Sequence, residues 1–243
     1  MPKVLLVTSG KGGTGKSTVS QLLGRSLAAR GKNVLLVELD AGLRGLDLML
    51  GVSDRVVYDL GDVLTGRCRP VKAVVIVDTP AGNLHLIAAP VDRHFVPDRT
   101  NLRLLLEGLS GCYDFLILDT AAGLGRSFDV AASAADEALI VATADTVSAR
   151  DAAKTAQTLT CPARLIINQF TAKRLIGDLP DLDAVIDRAG VQLISVIPFD
   201  PAVSAACSAG SPLPDDSRAG GEIADLCRRL LGERVFLNIR RLK

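Results

Sequence analysis

The stretch that decides the fold is Val4-Leu5-Leu6-Val7-Thr8-Ser9-Gly10-Lys11-Gly12-Gly13-Thr14-Gly15-Lys16-Ser17-Thr18, near the start of a 243-residue chain. An apolar run at 4–8 has strand character, and a helical pattern follows with Val19, Leu22, Leu23 and Leu27 on one face, stopped at Gly31. Between them, residues 10–17 satisfy G-x-x-x-x-G-K-[ST]. Glycines without Cβ atoms let backbone N–H groups converge on phosphate oxygens, and the positive end of the following helix adds to the field. Lys16 is positioned to reach β- and γ-phosphates, Ser17 to offer a hydroxyl to Mg²⁺, and Thr18 to donate to an α-phosphate. Lys11 is unusual, because a phosphate loop of this kind needs no lysine beside its first glycine. A second cation there can sit over a phosphate of its own subunit or of a neighbour.

Beyond the loop, apolar runs at 34–38, 84–88, 115–119, 138–142, 164–168 and 192–197 alternate with helical patterns, one of them opening near Ser148. Strands separated by helices imply right-handed βαβ units. The fold class expected is α/β: a mostly parallel sheet with helices on both faces, of the kind that hosts P-loop NTPases. Hydrophobic residues make up 48% of the chain but aromatics only 3%, so aliphatic side chains must fill the core, as suits strands buried on both faces. No repeat, linker or boundary is visible, and 1–243 reads as one domain with 234–243 as a basic C-terminal segment.

A net charge of +1 carries no global footprint for nucleic acid. The five cysteines are scattered without a C-x-x-C, which reads as buried free thiols, or as a cluster shared across a dimer. No leader is visible after Met1, and apolar runs break well short of a membrane span, so the expectation is a cytoplasmic protein. Residues 178–187 are acidic and read as a loop entering a helix.

Magnesium needs a carboxylate at the end of a strand beside the loop. Asp78 and Asp119 both close an apolar run and precede Thr-x-Ala-Gly. Asp119 is favoured, because a helical segment and a Tyr113-Asp114 turn lead into its strand, whereas Asp78 is followed at once by another strand with no room for a crossover helix. Asp40, at the end of the second strand before a glycine-containing loop, is suited to positioning water. A helix-capping or turn role is the lesser alternative for it. Asn168 ends a strand and presents an amide able to pair with adenine, or a simple turn residue.

With these residues placed, the chain resembles the MinD branch of the MinD/ParA P-loop ATPases. Lys11 through Thr18 is similar to that family's deviant Walker A motif, 38–50 to its switch I, and 113–123 to Walker B with switch II. The resemblance implies ATP and Mg²⁺ as cofactors, with Gly10, Lys11, Gly12, Gly13, Thr14, Gly15, Lys16, Ser17, Thr18, Asn168, Pro198, Phe199 and Asp200 around the nucleotide. It implies Ser17, Asp40 and Asp119 at the metal, and Lys11, Lys16 and Asp40 in hydrolysis. It further implies slow, partner-stimulated turnover, an ATP-dependent homodimer in which Lys11 reaches the partner's nucleotide, and regulatory partners of the MinC/MinE type in division-site placement. Two departures stand out. Ala121 takes the place of the usual switch II proline, and the chain ends in a short segment with Val235, Phe236, Ile239 and Leu242 at near-helical spacing. With six Lys/Arg and one Glu over 228–243, this tail could lie on an anionic membrane at the inner face of the cell, or pack as a final helix on the domain. A ParA-type cargo or partitioning role, a flagellar-placement role and a metallocluster role are the alternatives on the same fold; the near-neutral charge speaks against nucleic acid, and no cysteine follows Asp119.

Overall fold

The computed structural model describes residues 1–80, 83–171 and 182–242. Among the described residues eight strands form one sheet in the order β3-β4-β2-β5-β1-β6-β7-β8: β1 Lys3–Thr8, β2 Val34–Glu38, β3 Val75–Val77, β4 Leu84–Ile87, β5 Phe115–Asp119, β6 Glu137–Thr143, β7 Ala163–Phe170 and β8 Leu193–Pro198. Every pairing is parallel except that of β3 with β4. All seven runs read as strands from the sequence are strands. The eighth, β3, hairpins back onto β4 because the connection is too short for a crossover, and it leaves Asp78 at the sheet edge in an exposed ion pair with Arg55 at 2.7 Å. Asp78 therefore lies far in the sheet order from β1, which is flanked by β5 and β6.

The period of two along each central strand decides which layer a side chain joins. Leu5 and Val7 of β1, Val34 and Leu36 of β2 and Ile117 of β5 share one core, with Leu22, Leu23 and Leu27 of α1 (Lys16–Ala28) and Ile223 and Leu226 of α10 (Arg218–Leu230). The alternate residues Leu6, Leu35, Val37, Leu116 and Leu118 enter a second core, beneath α5 (Arg99–Gly108) and α6 (Arg126–Ala132). A third, around Ile140, Ile167 and Val196, lies under α7 (Thr146–Thr158) and α8 (Leu182–Ala189). Strands covered on both faces account for the aliphatic composition. Truncating a fully buried leucine such as Leu23 is expected to cost about 2–5 kcal/mol.

Three short helices without a clear periodic signal, α2 (Leu46–Leu50), α3 (Leu60–Leu64) and α4 (Pro70–Ala73), fill the span between β2 and β3. A ninth, α9 (Pro201–Ala209), follows β8. Residues 178–181 of the acidic stretch lie outside the described residues, and α8 begins just after them. All five cysteines are free. Cys227 is buried, but Cys112 is exposed and the other three are half-buried, so the reading of buried thiols holds for one position only. Among the described residues no helix is long and apolar enough to cross a membrane.

The C-terminal segment departs from both readings of it as a helix. Gly232, at φ 90°, ends α10 and its following turn, and residues 233–238 have no regular structure before a 3-10 turn at Ile239–Leu242. A segment this short has little helical stability of its own. Instead the Arg229 guanidinium donates to the carbonyls of Val235 (2.9 Å), Phe236 (3.1 Å) and Ile194 (3.1 Å). Arg241 lies against Gly221, where any Cβ would approach its Cζ to 2.8 Å, and pairs with Glu222 at 3.3 Å and Asp225 at 2.7 Å. Glu222 is almost wholly buried, burial raises its pKa, and its Oε2 has no hydrogen-bond partner, so Arg241 is the main compensation for that charge. Removing it with Arg241→Ala is expected to cost about 1–3 kcal/mol, a fall in melting temperature of roughly 2–10 °C for a chain this size. Differential scanning calorimetry reads this directly, and an unchanged melting temperature would show that the tail carries no structural load.

Candidate functional site: a phosphate seat at the end of β1

The loop from Gly10 to Gly15 leaves the carboxyl end of β1 between its neighbours β5 and β6, where the sheet order reverses direction and a ligand crevice opens. Gly13 and Gly15 take left-handed backbone angles (φ 79° and 89°), which side-chain-bearing residues resist. Gly15 also could not carry a Cβ without striking Asn168 Nδ2. Around Gly12 and Gly13, by contrast, a Cβ would meet nothing within 4 Å, so the space above them is open. None of the N–H groups of Gly12 through Thr18 donates to a protein acceptor among the described residues. A run of unsatisfied donors at a helix N-terminus is the chemistry that holds a polyanion. The buried Thr14 hydroxyl is likewise without a partner.

Lys16 is nearly buried in the first turn of α1 and forms no ion pair or side-chain hydrogen bond among the described residues. Burial lowers its pKa, opposed by the charges of Asp119 and Asp40. An ammonium desolvated and left without a partner gains strongly from a phosphate brought to it. Asp119 is fully buried: Ser17 Oγ donates to its Oδ2 at 2.6 Å and Ser20 Oγ to its Oδ1 at 2.8 Å. Burial pushes its pKa up to about 7, against the two serine bonds that favour the anion. Ser17 and Asp119 thus stand together beside Lys16, as a magnesium pair at the phosphate end requires, and the donor set of hydroxyl and carboxylate oxygens suits that hard cation. Asp40 follows β2 half-buried, without a side-chain hydrogen bond among the described residues. Burial raises its pKa and Lys16 lowers it. Nothing in its contacts separates a metal role from a water-positioning one.

Lys11 is 47% exposed, and its ammonium is held only at 3.9 Å from Asp145, itself fixed as the cap of α7 by Thr143 Oγ1 (2.6 Å) and Ser148 N (2.9 Å). Lys11, Gly12, Gly13, Thr14 and Asp145 line a cleft of about 260 Å³. A second cleft of about 450 Å³ is lined by Thr18 and walled by Asn168, Pro198, Phe199 and Asp200. The sequence-predicted residues therefore gather at one end of the sheet. Asn168 faces the loop as well as the cleft: its Nδ2 donates to Thr14 O at 2.8 Å, leaving the carbonyl end for a ligand. Asp200 is less available than expected, since its carboxylate caps α9 through Ala202 N (3.0 Å) and accepts from Ser217 Oγ (2.8 Å) and Ala219 N (3.3 Å). It contributes to the cleft as wall.

Several contributors went unread. Ser20 lies three residues after Ser17, so both hydroxyls share one helix face, a spacing visible in the sequence once Asp119 is chosen. Gln169, at φ 55°, sends its amide to Gly13 O at 3.4 Å. Glu38 is buried and accepts from Gly45 N (2.7 Å), Leu46 N (2.9 Å) and Ala89 N (3.1 Å), pinning the loop that carries Asp40.

Comparison with known proteins bears on the family and the fold. The CobQ/CobB/MinD/ParA nucleotide binding domain matches residues 5–213. The chain belongs to the MinD/ParA family. Within that family it is similar to the septum site-determining protein MinD of Bacillus subtilis, 34% identical over 98% of this chain and 92% of that protein. The MinC:MinD cell division protein complex of Aquifex aeolicus superimposes with a TM-score of 0.87 at 34% identity, covering 97% of this chain and 98% of that one. MinD of Pyrococcus horikoshii complexed with Mg-ADP gives 0.84 at 28% identity, covering 95% and 96%.

Because the folded state holds a proton on Asp119 up to about pH 7, while an unfolded carboxyl loses it near 3.8, the ligand-free protein loses stability as pH rises between those values. Asp119→Asn removes that loss. Its melting temperature relative to wild type is expected to climb from about pH 4 to about pH 7 and to level off above that, while any Mg²⁺-dependent gain in nucleotide affinity disappears. A difference flat with pH would show that Asp119 does not titrate as a buried acid.

Proposed function

We propose that this chain is a Mg²⁺-dependent ATP hydrolase that works as a dimerising switch of the MinD kind, and that its 243 residues act as one nucleotide-binding unit regulating division-site placement through partners of the MinC/MinE type. The observation that carries the reading is the division of labour between two lysines. Lys16 is buried and unpartnered in its own subunit's phosphate seat, whereas Lys11 is half-exposed at the rim on a loose 3.9 Å ion pair. A cation so placed is free to cross to a nucleotide held by a second copy.

In this reading the loop N–H groups and Lys16 bind and orient the phosphates, and Ser17 and Asp119 hold the metal. Bound Mg²⁺ would supply charge neutralisation at the phosphate oxygens. Asp40 orients the attacking water, and Lys11 of the facing subunit stabilises charge on the transferred group. Turnover is slow until a partner settles the switch segments. The output is partner recruitment at the inner face of the membrane, with the exposed Phe236 and the basic residues beside it as a weak peripheral contact. Two copies in a dimer would double that contact.

Multi-angle light scattering with ATP and Mg²⁺ tests the switch. Wild type is expected to dimerise transiently, and Asp40→Ala to persist as a dimer with turnover reduced about 100-fold. A monomeric Asp40→Ala protein hydrolysing at the wild-type rate contradicts the proposal. Parallel co-sedimentation with anionic liposomes and with DNA, in ATP against ADP, separates the membrane-cycling reading from a nucleoid one: ATP-dependent pelleting with DNA alone would overturn it.

A further inference from the structure

Helix α1 does more than open the phosphate seat. One turn beyond Ser17 its buried Gln21 reaches α9, donating through Nε2 to Cys207 Sγ at 3.4 Å, and its Oε1 accepts from Arg25 Nε at 3.3 Å. Arg25 Nη2 then donates to two carbonyls at once, Gly210 O at 2.9 Å and Leu50 O at 3.3 Å. These belong to the carboxyl ends of α9 and of α2, where helix carbonyls lack intrahelical partners and a cation is favoured. The two helix ends also touch. Gly51 and Gly210, the left-handed caps of α2 and α9, are so close that a Cβ on Gly210 would lie 2.5 Å from Gly51 Cα. The guanidinium thus fastens α2 to α9 at a backbone contact with no room for a side chain.

The same two helices face each other across the 450 Å³ cleft, with Met49 on the α2 side and Val203 and Cys207 on the α9 side. The other end of α2 starts at Gly45 and Leu46, whose N–H groups Glu38 holds, and the loop leading to it contains Asp40. A five-residue helix therefore joins the wall of the base-side cleft to the segment proposed to position water. An element in contact with two sites can couple them when both bias its position, and α2 meets the cleft at one end and the Asp40 loop at the other.

We propose that Arg25 is a positioning residue that couples occupation of the 450 Å³ cleft by a nucleotide's base to the setting of the Asp40 loop, so that a bare polyphosphate fills the phosphate seat without ordering α2. The inference rests on the nucleotide-switch reading of the site above. It gives the base a role beyond affinity: ligands with a base are sensed by the switch segment, and inorganic phosphates are not.

Hydrogen–deuterium exchange on the full chain with Mg²⁺ and either ADP or pyrophosphate tests this. ADP is expected to slow exchange at least about threefold in both the 10–18 and the 44–51 peptides, and pyrophosphate only in the first. In Arg25→Ala the ADP protection of 44–51 is lost while that of 10–18 remains, and Arg25→Lys, which can still donate to both carbonyls, restores most of it. Met49→Ala gives a second handle should the half-buried arginine prove necessary for folding: widening the wall is expected to lower the 44–51 response to ADP. If ADP protects neither peptide in wild type, the nucleotide reading of the site fails and the coupling with it. If 10–18 responds but 44–51 responds equally to ADP and pyrophosphate, or if Arg25→Ala, or Met49→Ala in its place, matches wild type, the coupling alone is overturned.

Discussion

A carboxylate with no exposed surface sits at the end of β5, and two serines one turn apart on α1 hold it from above. Much of the site depends on that contact. Without a partner a buried carboxylate is costly, and here two short hydroxyl bonds, the neighbouring Lys16 and, when present, a divalent cation provide the compensation. The contact also ties the first helix to the central strands, so the loop N–H groups, Lys16 and the Ser17–Asp119 pair are located relative to one another by the sheet. Asp119 lies opposite Val7 of β1 and beside Glu38 of β2 in register, which brings three strand ends to one point.

Helix α1 is the element through which these demands meet. Its apolar face, with Leu22, Leu23 and Leu27, is packed into the core between the sheet and α10, while its first turn carries Lys16 and Ser17. Gln21 and Arg25, on a third side, reach α9 and the end of α2. The elements around α1 are held by fewer contacts: the loop before α2 by Glu38, and the rim where Lys11 rests on Asp145. Helix α2 touches both the 450 Å³ cleft and the Asp40 loop, and under the coupling proposed above it is the element that a bound base would set.

Much of this was legible in the sequence, for identifiable reasons. The central strands are continuous aliphatic runs because both faces are covered, and such runs need no tertiary information to recognise. The phosphate loop is equally plain, since its glycines and lysine are demanded by local chemistry. The choice of Asp119 over Asp78 followed from chain length, as a strand with no room for a crossover helix must hairpin at an edge, and β3 does so. Less legible were features made by distant partners. Glu38 reads as an ordinary strand-terminal residue until Gly45, Leu46 and Ala89 are brought to it. Arg25 reads as a solvated helix arginine until two helix ends meet over it. The tail misled because apolar spacing reports amphipathicity but not length. Arg229 and Arg241, which its composition marks only as basic charge, instead clamp it in an irregular path.

The central claim is that residues 10–18, with Lys16 at their end and Asp119 beneath, form a seat for a magnesium-bound nucleotide. Isothermal titration calorimetry of ATP into wild-type and Lys16→Ala protein, each with and without Mg²⁺, measures this most directly. The account predicts one site per chain, tightened by Mg²⁺ in wild type and lost in Lys16→Ala. Equal affinity in the two proteins, indifferent to Mg²⁺, would contradict it.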